Sequence, residues 1–233
     1  MFRELCIQIP QWILMNRFVK TGLYYFCRPL FALEEHKIER ITSNVIAGYH
    51  GVTTVGMMVI EANKRDIFYT YEPHSHYEKI VAYSLAYFVY DMMNDIRMNT
   101  ATPVFLMHHG VSIFTGVYLY SIDLLQLYIV ALFVELSSLN LNVKDILDIL
   151  EKKDSTIYTM NGVMFASTFF ISRILAIPLH VMSTYTLCEQ LRESPEEPYN
   201  YLPLCLMSSF TSLNVYWFQK IVKIAKSKLS PIK

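Results

Sequence analysis

Pro103 to Tyr120, PVFLMHHGVSIFTGVYLY, is the stretch on which the reading of the chain turns. It is apolar throughout except for His108 and His109, which stand side by side near its start. A helix rises about 1.5 Å per residue, so roughly 18 residues reach about 27 Å, close to the hydrocarbon thickness of a bilayer. Two imidazoles therefore fall inside or just under a membrane. Titratable groups at that depth are costly, face a bundle interior and mark a candidate site.

Composition agrees with a membrane setting. Hydrophobic residues make up 53% of the chain and charged ones only 17%, which fits one polytopic membrane domain. The 20 basic and 20 acidic residues cancel, and that balance argues against a nucleic-acid partner. No basic start, short apolar run and small-residue cleavage site occur in sequence, so the first span is expected to direct insertion. Cys6, Cys27, Cys188 and Cys205 lack metal-ligand spacing and read as apolar filler, the alternative being a Cys188–Cys205 disulfide across one loop if that loop is lumenal. The histidines form no ligand boxes, and neither a metal nor a firmly bound cofactor is expected.

Outward from the His-His segment, the chain divides into an N-terminal segment over 1–38, a transmembrane domain over 39–223 and a basic tail over 224–233. Ile7 to Leu33 is apolar but interrupted by Pro10, Arg17, Lys20, Arg28 and Pro29, and is read as a weak first span. Ile41 to Ile60 is a clear span with His50 near its middle and Gly48, Gly51 and Gly56 suited to close helix approach. Ile80 onward leads into Asp91. Leu124 to Leu141 carries Glu135, which shares a helical face with Ser138 and Asn142, and also holds Asn140. Asn142 to Ser155 is expected as a loop or interfacial helix. Ile157 to Leu187 is long enough to span with tilt or a kink and holds Arg173, Pro178 and His180, the last expected at the interface. Tyr199 to Phe218 forms the last span.

With seven spans and the tail cytoplasmic, 12 of the 20 Lys and Arg residues fall on the cytoplasmic side, against 5 opposite and 3 within spans. The excess supports a cytoplasmic C-terminus, with six spans if the first segment does not cross.

The intramembrane polar residues lie on different spans and meet only inside a bundle. Neutral imidazole can act as base or nucleophile near pH 7, and a carboxylate on its other nitrogen fixes the tautomer. His108, His109 and Asp91 are therefore the catalytic candidates, while His50, Glu135, Arg173 and Asn140 are candidate substrate-binding residues. Adjacent helical residues point about 100° apart, so one histidine is expected to react and the other to orient or pack. Arg173 either pairs with Glu135 or binds a lipid phosphate or carboxylate. The competing reading is structural, with the same groups bonding across helices to hold the bundle together.

The order of His50 in one span, YFVYD ending at Asp91, MHHG at His108 and His109, VELSSLNLN from Val134, FFISRILAIP through Arg173 and NVYWFQKI near the end resembles the TLC domain. This membrane domain is shared by ceramide synthases, translocating-chain-associated membrane proteins and TLC domain-containing proteins. The resemblance covers roughly Glu39 to Lys223 and is nearest to the small TLC domain-containing proteins. It implies an all-α, multi-spanning helical barrel of six or seven transmembrane helices around a lipid chain. For ceramide synthases it implies acyl transfer from acyl-CoA to a sphingoid amine, so His108 or His109 would attack the thioester and acyl-CoA would be a co-substrate. The chain departs from that pattern. Aligning the motif's Glu with Glu135 puts Leu127, Tyr128 and Ala131 where a His and two Asp are expected, and Ser138 replaces a Lys. Ceramide synthase activity is not expected.

The expected function is binding or remodelling of acyl lipids in the endoplasmic reticulum or plasma membrane, contributing to lipid homeostasis. The alternative is a non-enzymatic lipid sensor, carrier or membrane-protein assembly factor. The partners expected are a membrane lipid or fatty-acyl chain and the bilayer itself, with a homo-oligomer left open.

Overall fold

The apolar runs become helices, and among the described residues of the computed structural model, 1–192 and 200–229, no strand occurs. Helix α1 spans Phe2–Gly22 and continues through a π-helical turn, Leu23–Cys27, into the short α2, Arg28–Phe31. α3 is Glu35–Lys64, α4 Glu78–Met98 and α5 Pro103–Ser121. α6, Leu125–Ala131, and α7, Ser138–Ile149, are the two halves of one helix joined by a 3₁₀ segment, Leu132–Ser137. α8, Thr156–Phe169, and α9, Ile177–Gln190, are joined through a π-helical segment, Phe170–Leu175. α10 runs from Leu202 to Leu229.

Local chemistry accounts for these boundaries. Thr102 caps α5 by accepting a hydrogen bond from the Phe105 backbone N–H at 3.2 Å, and Pro103 sits in the first turn where its missing N–H removes no bond. Ser155 caps α8 in the same way through the N–H of Tyr158. α4 ends on Asn99 in the left-handed conformation at φ 56°, a residue type that tolerates it. Pro29 and Pro178 each follow a π-helical stretch within a few residues. Each proline lacks an N–H for the carbonyl four residues earlier, and its ring crowds that carbonyl, so the preceding turn widens.

Cross-helix contacts assign the ends of the helices to two faces. On one, the Met1 ammonium pairs with Glu78 at 2.9 Å, Tyr71 bonds to Asp123, and Gln126 donates to the Thr70 carbonyl at 2.8 Å. Asn200, just before α10, donates to the Tyr118 hydroxyl at 2.8 Å on that same face. On the other face Lys37 pairs with Glu151 at 3.2 Å and Arg97 with Glu39 at 3.5 Å. The described chain thus crosses seven times, with Met1 and the end of α10 on opposite faces. Three of the crossings, Glu35–Lys64, Leu125–Ile149 and Thr156–Gln190, are each long and apolar enough for a membrane span by length and composition.

The polarity of the bundle is that of a membrane protein. Phe18, Phe26, Leu30, Ile157 and Val163 face outward, while His50, Asp91, His109, Glu135 and Arg173 are buried. In lipid the exterior can be fully apolar, and polar groups are retained where they bond to one another inside. Gly51 sets one close approach: a Cβ there would lie 3.1 Å from the Glu135 carbonyl oxygen, so glycine lets α3 press against the 3₁₀ segment.

Several boundaries differ from expectation. α1 remains helical through Pro10, and α1, α2 and the turn between them form a continuous element beside α4. Of the loop or interfacial helix expected over Asn142 to Ser155, the part through Ile149 is helix, the end of α7, which packs along α3. α10 extends to Leu229, so the basic stretch expected as a tail from residue 224 begins as helix; residues 230–233 lie outside the described residues. Of the acidic loop expected after Glu189, residues 193–199 also lie outside them.

Candidate functional site

Irregular helix turns bring the buried charges together. Glu135 and Ser137 stand on the 3₁₀ segment, and Arg173 stands on the π-helical segment. Both types of turn change the angular step between residues, so side chains point where a regular helix would not send them. Asp91 comes from α4, His108 and His109 from α5, and Trp217 and Lys220 from α10. All of these line one cavity of about 370 Å³.

His109 is locked. Its Nδ1 lies 3.1 Å from the Phe105 carbonyl oxygen and its Nε2 lies 3.2 Å from Asp91 Oδ2. A carbonyl only accepts, so Nδ1 must carry a proton. The second contact then needs a proton of its own between Nε2 and the carboxylate, which makes the pair an imidazolium–carboxylate or its neutral equivalent. Neither arrangement leaves His109 a free lone pair. Both side chains are almost fully buried, at 6% and 9% exposure, which strengthens the contact electrostatically.

His108 is the opposite case. Among the described residues neither of its ring nitrogens has a hydrogen-bond partner, and the ring is only half-buried. It stands edge-on to His109 at 5.3 Å and to Trp217 at 6.1 Å between ring centres. His108 also lines a second, mainly apolar cavity of about 110 Å³, walled in part by Leu119, Leu127, Tyr128, Ala131, Leu206 and Phe210. Phe88 and Glu135 are common to both cavities. The polar one extends toward the face where α10 ends, and the apolar one toward the face where α10 begins.

Arg173 donates from Nε to Ser137 Oγ at 2.9 Å and from Nη1 to Asn214 Oδ1 at 3.1 Å. Its guanidinium carbon lies 5.1 Å from the Phe169 ring centre and 5.9 Å from that of Trp217. Glu135 lines the same cavity, but no ion pair within 4.0 Å joins the two among the described residues. The sequence left open whether Arg173 pairs with Glu135; neutral acceptors and aromatic faces hold it instead.

Five of the seven residues singled out from sequence therefore converge: Asp91, His108, His109, Glu135 and Arg173. His50 does not line either cavity. It is fully buried, bonds to Ser84 Oγ at 3.1 Å and stacks on Tyr87 at 3.8 Å, so it stands behind the wall that Tyr87 forms. Asn140 also faces away, donating to Thr168 Oγ1 at 3.1 Å and accepting from Asn161 through its backbone carbonyl at 2.8 Å, a clamp between α7 and α8. Two residues from both Ser138 and Asn142, it points about 200° from them. His180 is buried at 3% exposure and is not the interfacial residue expected. Ser137, Asn214 and Trp217 were not anticipated. The WF pair in the last span and the proline after Arg173 were the available signals, but neither says which helix its neighbour faces.

The fold, with a cavity between its helices that carries buried charges, defines a polytopic helical membrane protein with a candidate site among its helices. Residues 37–223 match the TLC domain, and the chain belongs to that family. The family suggests a membrane protein of lipid metabolism or sensing. Neither a curated protein nor a solved structure matches the chain.

Proposed function

We propose that the two cavities sharing His108 on their walls bind an acyl lipid and that His108 accepts its acyl group in a transfer reaction. The observation that carries this reading is the imidazole of His108, without a hydrogen-bond partner among the described residues and on the wall of both cavities, beside a histidine whose nitrogens are both engaged. An acyl chain in the apolar cavity would present its carbonyl carbon to His108. With acyl-CoA as substrate, a ring nitrogen's lone pair attacks that carbon and the C–S bond breaks. The imidazole's other proton leaves with the thiolate as thiol. An acceptor hydroxyl or amine then attacks the acyl-imidazole, and its proton returns to the ring. In this reading Glu135, on the wall of both cavities, holds that proton in transit. Lys220 at the mouth suits an anionic donor.

The C-terminal face is proposed as cytoplasmic on the distribution of Lys and Arg, in the endoplasmic reticulum or plasma membrane. Incubating purified protein with acyl-CoA and weighing it intact tests the reading: a histidine-linked acyl adduct and turnover are expected, both lost in His108→Ala. Full turnover in that variant overturns the role of His108, and absent turnover in the wild type sinks the enzyme reading.

A second reading is favoured by Leu127, Tyr128 and Ala131. These occupy the positions where the ceramide synthase pattern has acidic and imidazole groups, and all three line the apolar cavity. A cavity without those groups suits chain binding without amine activation, as in a lipid sensor or carrier. Lipid that copurifies with a His108→Ala, His109→Ala double variant, together with absent turnover in the wild type, would select it.

A further inference from the structure

Arg173 is a buried charge without an ion-pair partner among the described residues. It is 8% exposed, yet among the described residues no carboxylate lies within ion-pair distance, and its polar partners, Ser137 and Asn214, are neutral. Among the described residues its Nη2 has no hydrogen-bond partner. Buried charges are ordinarily paired, and a guanidinium offers a planar fork of donors matched to carboxylate and phosphate oxygens. Phe169 and Trp217 hold the group over their faces, which fixes the plane without neutralising the charge.

The rest of the cavity agrees in sign. Asp91 and His109 compensate one another. Lys220, also on the wall, lies 4.5 Å from the Tyr216 ring and has no ion pair among the described residues. Glu135, the other carboxylate on this wall, lines both cavities and offsets one of the two cations, Arg173 and Lys220, which line this cavity alone. The polar end is therefore net cationic, and the apolar end is shaped for a chain.

We propose that Arg173 binds the anionic head, a carboxylate or a phosphate, of the acyl lipid that this cavity takes. The inference rests on the acyl-lipid reading for the chain but not on any turnover.

Trp217 supplies the readout. The full-length protein in phosphatidylcholine nanodiscs is titrated with oleate, oleoyl lysophosphatidic acid or monoolein while tryptophan emission is followed, and Trp217→Phe assigns the signal. At least one anionic lipid is expected to saturate the response at concentrations about tenfold or more below monoolein, the scale of a hydrogen bond to a charged group. Response to oleate alone identifies a carboxylate ligand, to the lysophosphatidate alone a phosphate ligand, and to both their shared oxyanion. Arg173→Gln is expected to erase the preference, and Arg173→Lys to keep part of it. Monoolein binding as tightly as both anions overturns the proposal, as does a folded Arg173→Gln that keeps the preference. If Arg173→Gln does not fold, the wild-type comparison and Arg173→Lys decide. Failure of all three lipids to bind overturns this proposal and the acyl-lipid reading together, whereas anion preference without acyl turnover leaves this one standing and removes the transferase.

Discussion

Replacing Asp91 with alanine removes the carboxylate 3.2 Å from His109 Nε2 while the Phe105 carbonyl continues to hold Nδ1–H. Breaking a buried ion pair by deleting one partner costs about 3–5 kcal/mol, because the remaining charge has no counter-ion. In a chain of this size 1 kcal/mol moves the melting temperature by about 2–4 °C, so Asp91→Ala is expected to lower Tm by about 6–20 °C. Asp91→Asn keeps a donor for Nε2 and lets the ring become neutral. It exchanges a charged hydrogen bond for a neutral one, a loss of about 1 kcal/mol and about 2–4 °C. His109→Ala supplies the third corner. If the two groups form one unit, the double Ala variant is much less destabilised than the sum of the singles, with a coupling of about 1–3 kcal/mol. Scanning the detergent-solubilised variants by differential scanning fluorimetry measures all four corners. Additive losses, or an Asn variant as unstable as the Ala variant, would refute the paired-proton account of His109.

Gly51→Ala would bring a Cβ to 3.1 Å from the Glu135 carbonyl and push the 3₁₀ segment, costing about 1–3 kcal/mol; Gly56→Ala, with nothing within 4 Å, is expected to be neutral or slightly stabilising. Thermal scans of the two side by side check the contrast. Pro178→Ala restores an N–H to the Ile174 carbonyl and lets the π-helical turn tighten, which turns Arg173 away from Ser137 and Asn214; weakened lipid-dependent quenching of Trp217 with an unchanged or higher Tm is expected. Asp66, in the loop between α3 and α4, is raised by partial burial, but hydrogen bonds from the Phe68 and Tyr69 N–H groups and the Thr70 hydroxyl outweigh this and hold it below its ordinary 3.8. A depressed carboxyl stabilises the fold above its unfolded pKa and loses that contribution as pH falls through the folded value, so Asp66→Asn should flatten the acid limb of Tm measured from about pH 6 to about pH 3.

Much of the molecule was legible along the chain. Hydropathy and length mark the long apolar helices, although whether the first segment crosses was left open. The inventory of buried charges also follows from sequence, because an ionisable residue within an apolar span has few places to go other than the bundle interior. The stretch from Pro103 to Tyr120 even implied that His108 and His109 would differ, since neighbours on a helix point in different directions.

What the linear pattern lacks is the rotation of each helix about its axis and the identity of its neighbour. Periodicity relates residues of one helix to one another, not to residues of the next. His50 and Asn140 were as polar and as central as Glu135, yet each faces a packed interface. Gly51 lets α3 approach the segment carrying Glu135, and the 3₁₀ and π-helical turns shift the phase at Glu135 and Arg173, so a projection at a regular 100° per residue misplaces them. Ser137, Asn214 and Trp217 became partners of Arg173 only through packing between segments far apart in sequence. Sequence alone determined that buried charges must exist and that two histidines lie among them. Tertiary structure decided which histidine is bonded and which is open, because only the approach of Asp91 on α4 to His109 on α5 closes one ring and leaves the other facing the cavity.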